Sequence, residues 1–220
     1  MLRKQKRYGV DIHRRSGPVA SGSGEVGKFL AFPVVAELLR VRGFDRILDL
    51  GSGDGTFLID QCKRRADVTG YGVDLAPAAV ELGQQKVRQQ GLEGRLTLLV
   101  GDVTDLTSVA PQIHGLHAAT SIYVMHELYE GGRELVLTTF RNFKSAFPNV
   151  PLIICEVIRH SPEELREKPG GILEIQLFHD LSHQSLLTRD EWKDLFRDAG
   201  FTTVQENYLA FARTAVFVVS

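Results

Sequence analysis

Asp49-Leu50-Gly51-Ser52-Gly53-Asp54-Gly55-Thr56-Phe57 follows the apolar run Arg46-Ile47-Leu48 and opens a stretch of helical periodicity. Glycines at a strand-to-helix turn reach positive φ and admit a ligand close to the main chain. A helix starting there offers unpaired N–H groups to that ligand. Alone, such a loop is a weak signal. The dinucleotide fingerprint needs glycine at position 56, where Thr56 stands, so a nicotinamide reading loses ground.

Outward from this loop, apolar runs and helical periodicities alternate. Residues 46–50, 69–74, 96–101, 118–124 and 151–157 read as strands, and 55–65, 77–90, 133–147 and 188–199 as helices. Ahead of them, 25–42 carries Phe29, Leu30, Val34, Val35, Leu38 and Leu39 on one side of a helix that Pro33 starts or kinks. Strands alternating with helices predict a parallel sheet covered on both faces. The last two strands, 201–205 and 210–219, are joined by only a few residues and must pair antiparallel, because a parallel crossover needs far more. The expected fold is α/β: a Rossmann-like, seven-stranded sheet, mostly parallel, with an antiparallel C-terminal strand. Residues 159–187 fit the alternation poorly. An insertion at that point of an open α/β sheet lies above the strand C-termini, where ligands bind.

A chain of 220 residues suits one large α/β domain. With 26 basic and 27 acidic residues its net charge is -1, which argues against a dedicated nucleic-acid binder. Cys62 and Cys155 match no zinc or redox spacing and read as reduced core thiols of a cytoplasmic protein. The basic start at 1–7 precedes no apolar signal segment, and no apolar run approaches the ~18 residues of a membrane span. Residues 1–24 are basic and then rich in Gly and Ser, fitting a mobile tail or a flap that orders over a ligand. The domain proper is expected over 25–220.

Three acids end or directly follow apolar strands on one edge of the expected sheet. Asp49 is placed to meet a cationic amino group. Asp74, 23 residues after Gly51, is placed to accept both hydroxyls of a ribose. Asp102, after Gly101, can accept from an adenine amino group. One such acid reads as a strand-end cap; three on one edge do not. The combination resembles the class I S-adenosylmethionine (SAM)-dependent methyltransferases, over about residues 25–220. The resemblance implies an enzyme with SAM as cofactor. It implies that the loop from Asp49 to Gly55, with Gly51, Ser52 and Gly53, holds the methionine part, that Asp74 holds the ribose and that Gly101-Asp102 flanks the adenine, with Leu75 and Val103 counted among the cofactor-binding residues.

Methyltransferases of base amino groups carry an Asn/Asp-Pro-Pro-aromatic motif after the fourth strand, whereas this chain reads Ser121-Ile122-Tyr123-Val124-Met125-His126-Glu127-Leu128 there. No loop cysteine offers the nucleophile for cytosine chemistry, so a small-molecule acceptor is favoured. The stretch from Val124 to Glu130 is similar to the region of small-molecule O-methyltransferases that holds a histidine general base. A histidine of near-neutral pKa there could remove a hydroxyl proton; a packing or capping histidine is the plain alternative.

His179 stands 53 residues beyond His126, and that pair resembles the metal-dependent C-methyltransferases of 2-oxo acids. There, matching histidines bind iron or another transition metal, which a 2-oxo acid substrate chelates. The resemblance implies metal-assisted methylation of the β-carbon of a 2-oxo acid. His126 and His179 are then the metal ligands, Glu127 or Asp180 orients them, and His183 or Tyr123 is the proton acceptor. His179 and His183 also stand at i, i+4, a spacing that can form a local metal pair, although the HExxH signature is absent. Glu174 and Gln176 suit a cationic substrate end. O-methylation with His126 as base is the alternative, to which His179 is dispensable; a non-catalytic SAM-binding regulator is another.

Relatives of this kind carry a further N-terminal helical region that dimerises and lids the active site. Here only residues 1–43 precede the alternation. A lid then comes from 1–24 or is absent, and a homodimer is left open.

Overall fold

The computed structural model describes residues 27–167, 185–210 and 212–220; the segment at 1–24 lies outside them. Helix α1 (Ala31–Val41) carries Pro33 in its first turn, where a missing N–H costs no intrahelical bond. Then follow β1 (Arg46–Leu50), α2 (Thr56–Arg64), β2 (Thr69–Asp74), α3 (Pro77–Gln89), β3 (Leu96–Val100) and β4 (Ala118–Ile122). The short α4 (Met125–Leu128) and the long α5 (Arg133–Ala146) lead to β5 (Leu152–Val157) and α6 (Pro162–Glu167). The chain closes with α7 (Arg189–Asp198), β6 (Val204–Leu209) and β7 (Thr214–Val219).

One seven-stranded sheet runs in the order β3-β2-β1-β4-β5-β7-β6. Every pair among β1 to β5 is parallel, and β7 lies antiparallel to both β5 and β6. From β1 the chain winds one way to β2 and β3; from β4 it winds the other way to β5. That reversal opens a crevice above the C-terminal ends of β1 and β4. Two apolar clusters sandwich the sheet. Leu48, Leu50, Ile154 and Phe217 pack with Phe140, Phe143, Trp192 and Phe196 of α5 and α7. Ile47, Ile153, Val216 and Val218 pack with Phe32, Leu39, Leu58 and Val80 of α1 to α3. All six residues of β7 are buried, because the strand is internal and covered on both faces. Among the described residues no helix is long and apolar enough to cross a membrane.

Of the boundaries that differ from expectation, two matter most here. Strand β4 stops at Ile122 rather than 124, because Tyr123 adopts φ 58° and turns the chain off the sheet into α4. The closing hairpin turns after Leu209 rather than after 205. Polar Glu206 and Asn207 fall between the two expected strands, but β6 is an edge strand whose alternate residues face water, so they continue it. Helix α7 begins as expected, on a capping box in which Thr188 and Glu191 bond each other's backbone N–H.

Candidate active site

The glycine loop sits at the crevice. Gly51, Gly53 and Gly55 all lie in the left-handed region, at φ 74°, 56° and 72°. The N–H groups of Gly51 and Ser52 both donate to the Val73 carbonyl at the end of β2, at 2.8 and 3.1 Å. Asp74 holds the loop's next residue: its Oδ2 accepts the Gly53 N–H at 2.8 Å, and Oδ1 accepts the Ala76 N–H at 2.8 Å. A carboxylate has about four acceptor directions, so this leaves it able to receive ribose hydroxyls as well. Asp54, to which the sequence reading gave no role, is buried. It accepts from the Thr56 hydroxyl at 2.5 Å and pairs with Lys86 Nζ at 2.5 Å, fastening the loop to α3.

Asp49 is 4% exposed and accepts from the Thr120 hydroxyl at 2.7 Å. Burial pushes its carboxyl up to about 7; the Thr120 hydrogen bond pulls down and the nearby Asp74 charge adds to the rise. Ser52 Oγ is buried with no hydrogen-bond partner among the described residues. A buried carboxyl suited to a cation, an orphaned hydroxyl and a glycine cradle fit the amino-acid end of SAM. At the other end, Leu75 is 43% exposed beside Asp74, offering apolar surface. Asp102 Oδ1 accepts the Thr104 N–H and hydroxyl at 2.8 and 2.7 Å. Gly101 donates its N–H to the Asp74 carbonyl at 3.0 Å, and Val103 is buried in the core beneath.

The raised carboxyl gives a pH prediction. Its folded value lies above the ordinary 3.8, so the empty chain takes up a proton on folding and loses stability as pH rises from about 4 to 7. Binding a cationic amine requires the ionised form and releases that proton. Affinity for S-adenosylhomocysteine should rise by up to about tenfold per pH unit below 7 and level off above it. Calorimetry in buffers of different ionisation heat measures the proton release, which Asp49→Asn should remove; a flat profile in the parent chain would refute the assignment.

His126 lies on α4, 4% exposed, with Nδ1 at 2.6 Å from Glu156 Oε2. Glu156, fully buried in β5, also accepts the N–H groups of Val124 and Met125 on Oε1, at 3.1 and 2.7 Å. The carboxylate accepts, so Nδ1 carries the proton and Nε2 is the unprotonated ring nitrogen. Such an imidazole serves as a general base or as a metal ligand. Glu156 was missed in the sequence although its signal was present: like Asp49 and Asp74 it stands at the end of an apolar strand, after Leu152-Ile153-Ile154-Cys155.

Tyr123 is a correction. Its side chain packs with the α1–α3 cluster, its hydroxyl bonds Thr214 Oγ1 at 3.1 Å, and burial pushes its pKa well up. Glu156 and Met125 belong to the opposite face of the sheet, so a proton-acceptor role for Tyr123 does not fit. Cys155 is a buried free thiol, as read. His179, His183, Glu174, Gln176 and Asp180 lie outside the described residues. Among the described residues no group of three or more His, Cys, Asp and Glu side chains is placed to hold a metal ion.

Known proteins resemble this chain in sequence and in fold. Residues 47–144 match the family model described as a methyltransferase domain. Indolepyruvate C-methyltransferase of Streptomyces griseus is 28% identical over 210 residues, 92% of this chain and 60% of the relative, so the chain spans about three-fifths of that protein's length. Among solved structures, TnmH superposes with a TM-score of 0.74 at 18% identity, covering 100% of this chain and 66% of that one. PigF, solved with SAH, gives 0.70 at 20% identity, covering 99% and 65%. At these identities the superpositions speak for the fold, while the matched domain holds the glycine loop, Asp74 and Asp102. The stretch from β1 to α5 thus matches a methyltransferase domain, and the whole described sheet has the fold of SAM-dependent methyltransferases.

Proposed function

We propose that this chain methylates a small molecule with SAM, and that the acceptor is the β-carbon of a 2-oxo acid. The observation that carries the chemistry is the buried Glu156–His126 pair, 2.6 Å apart, at the edge where the cofactor loop lies. The acceptor class is supported by the Streptomyces relative, a C-methyltransferase of indolepyruvate by name, aligned over 92% of this chain. Bound SAM supplies an electrophilic methyl group on a sulfonium. A 2-oxo acid is a poor carbon nucleophile until it loses a β-proton, which His126 Nε2 is disposed to take. The Glu156 carboxylate then stabilises the imidazolium, as a buried acid does behind a catalytic histidine. The carbon–methyl bond forms as the sulfur–methyl bond breaks, and the electron pair leaves with sulfur as the thioether product.

The donors described do not make a metal site, so no step is assigned to a metal. His126 with His179 and iron or another transition metal is the second reading, favoured by the relative's C-methylation alone. One experiment separates these. The purified chain is incubated with SAM and panels of 2-oxo acids and hydroxylated acceptors, and metal content is compared with that of a His126→Ala/His179→Ala variant. A β-methylated 2-oxo acid from metal-free protein supports base catalysis by His126. About one equivalent of metal, lost in the variant, moves the enolisation to the metal. Methylation of hydroxyls alone refutes C-methylation, and no turnover with any acceptor leaves a SAM-binding regulator.

A further inference from the structure

Charge is divided along the ligand-binding edge of the sheet. Asp74 ends β2, Asp49 stands next to last in β1 and Asp102 lies two residues past β3, while His126 lies just past β4 and Glu156 next to last in β5. Beyond β5 the sign reverses. Because β7 is antiparallel, its first residues lie at the edge where the parallel strands end. Glu156 stands opposite Ala215 and Val157 opposite Thr214, and the Ile158 N–H donates to the Arg213 carbonyl at 2.9 Å, continuing the ladder one step. Arg213 is therefore the diagonal neighbour of Glu156, a relation of roughly 7–8 Å that long side chains bridge.

Arg213 is 7% exposed and holds φ 45°, a conformation that L residues rarely adopt and that gathers at ligand sites. Around it, His160 Nε2 meets the Tyr208 hydroxyl at 3.1 Å, and the Arg189 guanidinium lies 4.8 Å over the Tyr208 ring. Glu206 is shared by Arg189 and Lys193 at 3.2 and 2.6 Å, and Glu164, which reaches His160 Nδ1 at 3.4 Å, is mostly in water. Burial first and the Arg213 charge second hold His160 below its ordinary pKa, with Glu164 pulling the other way. Arg189, Lys193 and Arg213 stand at this corner with Glu164 and Glu206. A cationic cofactor suits the acidic half of the edge; an anionic acceptor suits this half, with the proton-handling pair between them.

We propose that Arg213 is a specificity-determining residue that binds the carboxylate of the acceptor through its guanidinium fork while the β-carbon faces His126. The assignment rests on the 2-oxo acid reading above. A planar fork in a site of low dielectric recognises a carboxylate by two parallel, charge-assisted hydrogen bonds, which a lysine cannot reproduce.

The test compares kcat/KM for a 2-oxo acid and for its neutral methyl ester, in the parent chain, Arg213→Met and Arg213→Lys. The parent should favour the acid by roughly a hundredfold, Arg213→Met should abolish that preference through KM, and Arg213→Lys should keep about a tenth of it. All three should show the same thermal shift with S-adenosylhomocysteine, whose site lies on the acidic half. An acid-to-ester ratio unmoved in Arg213→Met, or in Arg213→Lys should the methionine variant not fold, overturns the assignment and leaves the acceptor reading standing. Failure of the parent to methylate any 2-oxo acid, with hydroxyl acceptors turned over, overturns both.

Discussion

Replacing His126 with alanine is expected to slow methyl transfer by roughly 10²–10⁴-fold while leaving S-adenosylhomocysteine binding intact, since a positioned base contributes about that much. Glu156→Gln should come close to the same loss by a different route. Glu156 Oε1 receives two backbone N–H groups, so a glutamine must turn its only oxygen toward them and its NH2 toward His126. The amide then donates to Nδ1, and the proton moves to Nε2, the nitrogen that has to be empty. The fold survives and the base does not. Glu156→Ala instead leaves two N–H groups and an imidazole buried without their acceptor, and should cost about 3–5 kcal/mol of stability. Single-turnover rates and denaturation curves separate the three variants. Wild-type rates in Glu156→Gln would show that the tautomer, and hence the pair, plays no part in the reaction.

Local periodicity carried most of the fold. Strand β2 and helix α5 lie within a residue of their expected limits, because apolar alternation and helical spacing are local properties. The cofactor acids were legible for the same reason: each is a polar residue interrupting a buried run at a strand end. What sequence could not supply is pairing across elements. Nothing local says that Asp54 meets Lys86, 32 residues away, or that His126 meets Glu156, 30 residues away. Tyr123 shows the converse. It stands three residues before His126 and was read as a proton acceptor, but one left-handed residue at the strand end sends its side chain to the face opposite Met125. Arg213 was not legible because the expected strand 210–219 contained it; the antiparallel direction was foreseen, but only the observed start of β7 at Thr214, opposite Val157, leaves Arg213 just outside the strand at the ligand edge.

Gly51→Ala should weaken S-adenosylhomocysteine binding on the order of a hundredfold, and the reason ties the cofactor loop to the histidine. An added Cβ at Gly51 would stand 2.5 Å from Cγ2 and 2.8 Å from Cγ1 of Val124, in a backbone at φ 74°. The left-handed conformation costs an L residue about 1–2 kcal/mol, and overpacking about 1–3 kcal/mol more. Val124 cannot yield easily, because its β-branched side chain is stiff and its N–H is fixed by Glu156. If it does yield, α4 moves with it, and His126 leaves its 2.6 Å contact. The substitution is therefore expected to lower turnover by more than the loss of binding explains. Gly51→Ala/Val124→Ala removes the clash and keeps the strained φ, so it should restore most of the turnover and only part of the affinity. Calorimetry for binding and saturating-SAM rates for turnover distinguish the two components. Equal loss in the single and double variants would mean that the backbone conformation alone requires glycine, and that the loop and the histidine are not mechanically coupled through Val124.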